Sequence, residues 1–143
     1  MKSVWWRLKV TVGASLIVCL VAYYLGEAKP DFVPRWAAQA VIFLGGGLTL
    51  YHAALLKRAR RHSHGRPVLL TRGGLYAWVR HPMYTGDLVL YLGLTLLAPG
   101  IVSIALFLVG SYALFRQALV EDQRLLKRHG DVFNDWRQRT WLL

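Results

Sequence analysis

The sequence predicts an all-α, integral-membrane helical bundle of about four transmembrane helices, and three observations carry that prediction. Hydrophobic residues make up 55% of the 143-residue chain and its mean hydropathy is +0.34, too apolar for an ordinary soluble domain. Two runs, Val10 to Leu25 with a weak continuation to Ala28, and Trp36 to Leu56, meet the requirement of about 20 mostly apolar residues for a span. The net charge of +11 is also unevenly placed along the chain.

That unevenness predicts topology. Lys2, Arg7 and Lys9 precede the first run. Lys57, Arg58, Arg60, Arg61, Arg66, Arg72 and Arg80 lie between the second and third, and Arg116, Arg124, Lys127, Arg128, Arg137 and Arg139 lie at the end. Only Lys29 and Arg35 fall on the other side, balanced by Glu27 and Asp31. By the positive-inside rule both termini and the 57–82 loop are cytoplasmic, in a multi-pass chain with an even number of spans. The same charge in a soluble protein would raise nucleic acid as a partner; arranged this way, it does not.

The first span carries Trp5 and Trp6 at one end and Tyr23-Tyr24 near the other, the aromatic belt of a helix crossing two interfaces. No small-x-small cleavage site follows it convincingly, so it reads as a true span and not a removed signal. Its Cys19 is the single cysteine, which excludes an intrachain disulfide. Pro30 and Pro34 mark a short external connector over Glu27 to Pro34.

The second span contains Gly45-Gly46-Gly47. No strand precedes these glycines and no G-x-G-x-x-G follows, so they read as small residues that let a neighbouring helix approach, not as a phosphate loop. His52, one turn from the end of the span, is an ionisable group at membrane depth and a candidate substrate ligand. In the loop Lys57 to Thr71, His62 and His64 lack further ligands at metal spacing, so no metal is expected. The surrounding arginines suit anionic lipid headgroups. Val68 to Thr71 then returns the chain to the interface, and Gly73-Gly74 turns it.

Met83 to Ala98 is short for a span and Ile101 to Leu119 nearly full length, with Pro99-Gly100 making a helical hairpin between them. Before the hairpin lies the densest chemistry of the chain, Tyr76-Ala77-Trp78-Val79-Arg80-His81-Pro82-Met83-Tyr84-Thr85-Gly86-Asp87. Pro82 suits the first turn of a helix, where its missing N–H is no loss. The free N–H groups there favour a carboxylate or phosphate oxygen, and His81 and Tyr84, three apart, share a side of that turn. An interfacial belt of Tyr76, Trp78 and Tyr84 with snorkelling Arg80 and His81 is the plainer alternative. After the hairpin the fourth span runs into Glu121-Asp122. Leu119, Leu125, Leu126 and His129 keep helical spacing, so the helix extends into the cytoplasm and ends near Gly130. Glu121 by itself reads as an i, i+3 partner of Arg124. Two ionisable clusters at one membrane face argue instead for a shared site. The chain reads as one domain, 1–143, with a helical scaffold over 1–65 and the motif region over 66–143.

Together the two clusters resemble the membrane methyltransferases typified by isoprenylcysteine carboxyl methyltransferase and the phospholipid N-methyltransferases. The residues that carry the likeness are Gly74 and Tyr76, then Arg80, His81, Pro82, Tyr84 and Gly86 as R-H-P-x-Y-x-G, then Glu121, Asp122, Leu125, His129-Gly130, Phe133 and Trp136. The resemblance implies S-adenosyl-L-methionine as cofactor, held by Tyr76, His81, Pro82, Tyr84 and Glu121, and a lipidic or membrane-partitioning acceptor. It also implies substrate-side roles at Arg80 and near Arg116 and Gln117. Gln117 occupies the place of the arginine that reads the substrate carboxylate in the prenyl-cysteine enzymes, and Arg116 lies one residue, about 100° of helix, away. His129 replaces an aromatic, the amino-terminal half is shorter, and Trp141-Leu142-Leu143 ends the chain without a proline-containing tail. Sterol and steroid reductases, which use NADPH, share a similar R-H-x-N-Y-x-G-D/E pattern. Gly86-Asp87 matches its end, but Met83 stands where they have asparagine. A small non-enzymatic membrane protein is the third reading.

Overall fold

The computed structural model describes residues 3–26, 33–63, 69 and 74–143. Among these are four helices, α1 (Val4–Leu25), α2 (Arg35–His62), α3 (Pro82–Leu97) and α4 (Ile101–Gln138), with a 3₁₀ turn over Gly74–Ala77 before α3. No strand is found among the described residues, and the architecture is an all-α membrane bundle. The connector residues 27–32, His64, Arg66, Arg72 and most of the return segment lie outside the described residues.

Hydropathy locates the helices and caps set their ends. Ser3 starts α1 well before its apolar run, its hydroxyl oxygen accepting the Trp6 N–H at 3.1 Å. The second helix overruns its apolar stretch and ends on Arg60, Arg61 and His62, cations favoured beside the carbonyl end. Pro82 opens α3 with His81 as its N-cap residue, as the sequence predicts. At the hairpin the Ser103 hydroxyl donates to the carbonyls of Ala98 and Gly100, at 2.7 and 2.9 Å.

Three helices, α1, α2 and α4, are long and apolar enough to cross a membrane. With 16 residues, α3 is about 24 Å long, short of the about 30 Å hydrocarbon core. The predicted four spans are thus three long helices and a short one that packs against all of them.

The tightest contact is between α2 and α3, where backbones meet at glycine. A Cβ on Gly45 would fall 2.8 Å from the Gly86 carbonyl oxygen, and one on Gly86 would fall 2.7 Å from the Thr49 nitrogen. Gly93 repeats the arrangement against the Ile42 nitrogen, 2.8 Å away. Only Gly45 of the glycine triplet joins this seam; Gly46 and Gly47 face open space. On the other side Val12 and Leu16 of α1 close over Leu114 and Ala118 of α4 and Tyr91 of α3. The Tyr91 hydroxyl donates to the Lys9 carbonyl at 2.5 Å. Large apolar side chains such as Val18, Phe43, Leu50 and Leu108 point outward, as lipid contact requires.

The expected end of α4 near Gly130 is corrected. Gly130 takes φ 52° and ψ −127°, a kink that glycine tolerates, and helix resumes through Gln138. The reason is hydrophobic: the resumed turns bury Phe133 and Trp136 against Tyr76. Beyond them the chain pairs with the segment leading into α3. Trp141 donates its N–H to the Trp78 carbonyl and accepts from Arg80 N–H, both at 2.8 Å.

Candidate active site

Tyr76 is placed by the 3₁₀ turn, which His52 holds from α2. The Leu75 N–H donates to His52 Nε2 at 3.0 Å, which leaves Nδ1 as the protonated nitrogen, donating to the Leu48 carbonyl at 2.8 Å. Gly74, at φ 55°, admits the turn; a Cβ there would lie 2.7 Å from His52 Nε2. His52 is buried with both ring nitrogens committed to backbone, and its ring meets Tyr76 edge-on at 5.5 Å. It braces the turn and is not among the residues that line the site's cavity. From α4, Trp136 Nε1–H donates to the Tyr76 carbonyl at 3.1 Å. Burial, reinforced by the Glu121 charge and opposed by Arg60, pushes the Tyr76 phenol up to about 12.

His81 is the junction of α3 and α4. Its Nε2 lies 2.8 Å from Asp122 Oδ1, and its Nδ1 lies 3.6 Å from Glu121 Oε2. The second oxygen of Asp122 takes the Arg80 guanidinium. Both acids sit on adjacent residues of one helix, about 100° apart, and this separates their fates. Asp122 is buried, with only 6% of its side chain exposed, and is fully engaged; Glu121 keeps 39% and faces the cavity. Burial also lowers the pKa of the Arg80 guanidinium, against the opposing pull of Asp122.

Tyr84 stacks on His81, ring centroids 5.5 Å apart and 18° from parallel. Its hydroxyl faces Glu121 and Gln117. The Lys9 ammonium of α1 lies 4.4 Å from its ring centroid and 2.7 Å from Asp87 Oδ2, while Thr49 Oγ1 lies 3.1 Å from Asp87 Oδ1.

These side chains surround a cavity of about 440 Å³. Of the sequence-predicted residues, Tyr76, Arg80, His81, Tyr84 and Glu121 line it, with Pro82 buried at the helix start. Three others, His52, Arg116 and Gln117, are elsewhere. Arg116 is exposed on the outer face, its guanidinium 5.0 Å from the Trp5 ring centroid. Gln117 is buried behind the wall, accepting from the Ser3 hydroxyl and lying 3.4 Å from Glu121 Oε1. The structure adds Trp6, Lys9, Met83 and Trp136 to the lining, with Arg60, Arg124 and Arg128 around it. In the sequence Lys9 is one of the charges preceding the first apolar run, with no signal that turns it toward the cavity; Asp122 stood beside Glu121 with nothing in the spacing to say which acid turned inward. Among the described residues no cluster of three metal-ligating side chains occurs.

Fold and site define a class: an integral-membrane helical protein with a polar and aromatic cavity at one end of its bundle. The chain belongs to the phospholipid methyltransferase family, whose model matches residues 35–131, about two thirds of its length. It is 30% identical over 112 residues to the protein-S-isoprenylcysteine O-methyltransferase of Schizosaccharomyces pombe, an alignment covering 73% of this chain and 48% of the relative. It is 28% identical over 137 residues to the nickel-cobalt-cadmium resistance protein NccN of Alcaligenes xylosoxydans xylosoxydans, covering 94% and 60%. The chain therefore spans about half to three fifths of these curated relatives. No solved structure gives a significant match. Nothing in these matches supports the reductase alternative, and membership of a methyltransferase family implies a methyl donor.

Proposed function

We propose that this chain is a membrane methyltransferase that uses S-adenosyl-L-methionine to methylate a lipidic or membrane-partitioning acceptor at a carboxylate, amine or thiol. The observation that carries the reading is the division of labour between the adjacent acids. Asp122 is spent on Arg80 and His81, while Glu121 keeps 39% of its side chain exposed and lines an aromatic-walled cavity.

The residues fit the cofactor. A cavity of about 440 Å³ lies in the range of small-molecule sites. Glu121 supplies negative charge for a cationic ligand, and the rings of Tyr76 and Trp136 on the wall offer cation–π surface to a sulfonium. When bound, S-adenosyl-L-methionine supplies a methyl carbon that an acceptor lone pair attacks in line as the carbon–sulfur bond breaks, leaving neutral S-adenosylhomocysteine.

The chain's own part is positioning, which carries most of the catalysis in such a displacement. Asp122 fixes His81, His81 stacks on Tyr84, and the Tyr76 carbonyl is pinned by Trp136. For an amine or thiol that arrives protonated, Glu121 is the available proton acceptor, the one carboxylate on the wall among the described residues. Arg60, Arg124 and Arg128 suit an anionic headgroup at the rim. In this reading the cavity end is cytoplasmic, as the charge asymmetry predicts.

Calorimetric titration of the purified protein in detergent with S-adenosylhomocysteine and, separately, NADPH tests the proposal. Binding of the first alone, lost in Glu121→Ala and His81→Ala, is the expected result. Binding of NADPH alone, or of neither, overturns it.

A further inference from the structure

We infer that Lys9 of α1 is a positioning residue of this cavity, capping the ring face of Tyr84 with an ammonium whose charge Asp87 cancels. The inference rests on the methyl-donor reading above. Lys9 lies more than a turn inside α1, at the edge of its apolar run, with 12% of its side chain exposed and that of Asp87 at 16%. Removing two charges from water is costly, so a pair at this depth needs close geometry and further hydrogen bonds to persist. It has both: Lys9 Nζ to Asp87 Oδ2 is 2.7 Å, and the Thr49 hydroxyl donates to Asp87 Oδ1 at 3.1 Å. Three helices meet at these groups.

The placement points beyond scaffolding. Lys9 is itself on the cavity wall, and its Nζ is 4.4 Å from the Tyr84 ring centroid, within cation–π range. Tyr84 is held from a second direction by the His81 stack. A phenol gripped this way keeps one orientation toward a ligand. A bare ammonium on the wall would repel a sulfonium, and Asp87 removes that cost while leaving the grip. The family match starts at residue 35, so Lys9 is a part of the site that α1 of this chain supplies from outside the matched segment.

The test is titration of S-adenosylmethionine and of S-adenosylhomocysteine, one cationic at sulfur and the other not, into wild-type protein, Lys9→Met, Lys9→Arg and Asp87→Asn, with thermal unfolding alongside. In Asp87→Asn the uncancelled ammonium lowers the preference for the sulfonium by about tenfold. In Lys9→Met the bare carboxylate raises that preference, while both ligands bind more weakly because Tyr84 is released. Lys9→Arg keeps a cation for both the ring and Asp87 and holds the ratio of the two affinities to within about threefold of wild type. A pair that serves the bundle alone shifts the unfolding midpoints and leaves the ratio of the two affinities unchanged. That outcome overturns the inference and spares the methyl-donor reading, whereas wild-type protein that binds neither ligand overturns both.

Discussion

Asp122 Oδ1 meets His81 Nε2 at 2.8 Å, with both side chains buried, and the other oxygen of the same carboxylate carries Arg80. One acid thus fixes the N-cap residue of α3 and the residue before it. Asp122→Ala leaves two buried basic groups without their partner, and its expected cost is about 3–5 kcal/mol of stability. Asp122→Asn keeps the shape and one acceptor and costs less. Thermal unfolding in detergent separates the two variants; equal, small losses would mean that water replaces the carboxylate.

Glu121→Gln gives the opposite balance. Its side chain is 39% exposed and its protein contacts are long, 3.4 Å to Gln117 and 3.6 Å to His81. The unfolding midpoint should stay near wild type, with a change within about 0.5 kcal/mol. Affinity for S-adenosylmethionine should fall by about tenfold or more, the scale of a lost charge-assisted hydrogen bond. Parallel calorimetry and thermal scans read both quantities on one preparation.

The glycine triplet gives a three-way comparison. Gly45→Val drives a side chain into the α3 backbone and should cost about 1–3 kcal/mol or prevent folding. Gly46→Val and Gly47→Val meet open space and should fold as wild type does. Size-exclusion profiles of the three variants in one detergent decide the matter, and equal behaviour would place the seam elsewhere.

At Gly130 nothing lies within 4 Å of the position a Cβ would take, so backbone strain alone acts. Gly130→Ala, at φ 52°, should cost about 1–3 kcal/mol. Loss of the kink would part Phe133 and Trp136 from Tyr76. Limited proteolysis should then cut after residue 130 sooner than in wild type.

Burial, the largest cause, pushes the Tyr76 phenol up to about 12 from its ordinary 10. Its folded value is raised, so its contribution to stability is complete below pH 10 and is lost as pH rises through 12. Spectrophotometric titration of tyrosinate, compared between wild type and Tyr76→Phe, should show one late-ionising phenol missing from the variant. A missing phenol that instead ionises near the ordinary 10 would mean that the ring is wet.

The sequence by itself determined the class of this protein. Apolar runs of spanning length, Pro82 at a helix start, the Pro99-Gly100 hairpin and the alternation of charge are local properties, set by hydration and backbone chemistry within a few residues. The motif residues Tyr76, His81, Tyr84 and Glu121 were legible for the same reason, each lying in a short patterned stretch. Tertiary structure decided which neighbours face where. Only Gly45 of three glycines packs, Asp122 turns inward while Glu121 turns to the cavity, and Arg116 turns outward onto Trp5. His52 became a brace because the turn at Leu75 came to it, and Lys9 became a wall residue because α1 lies against Tyr84. Adjacent residues on a helix differ by about 100° in direction, and that angle acquires meaning only when another helix occupies one side of it.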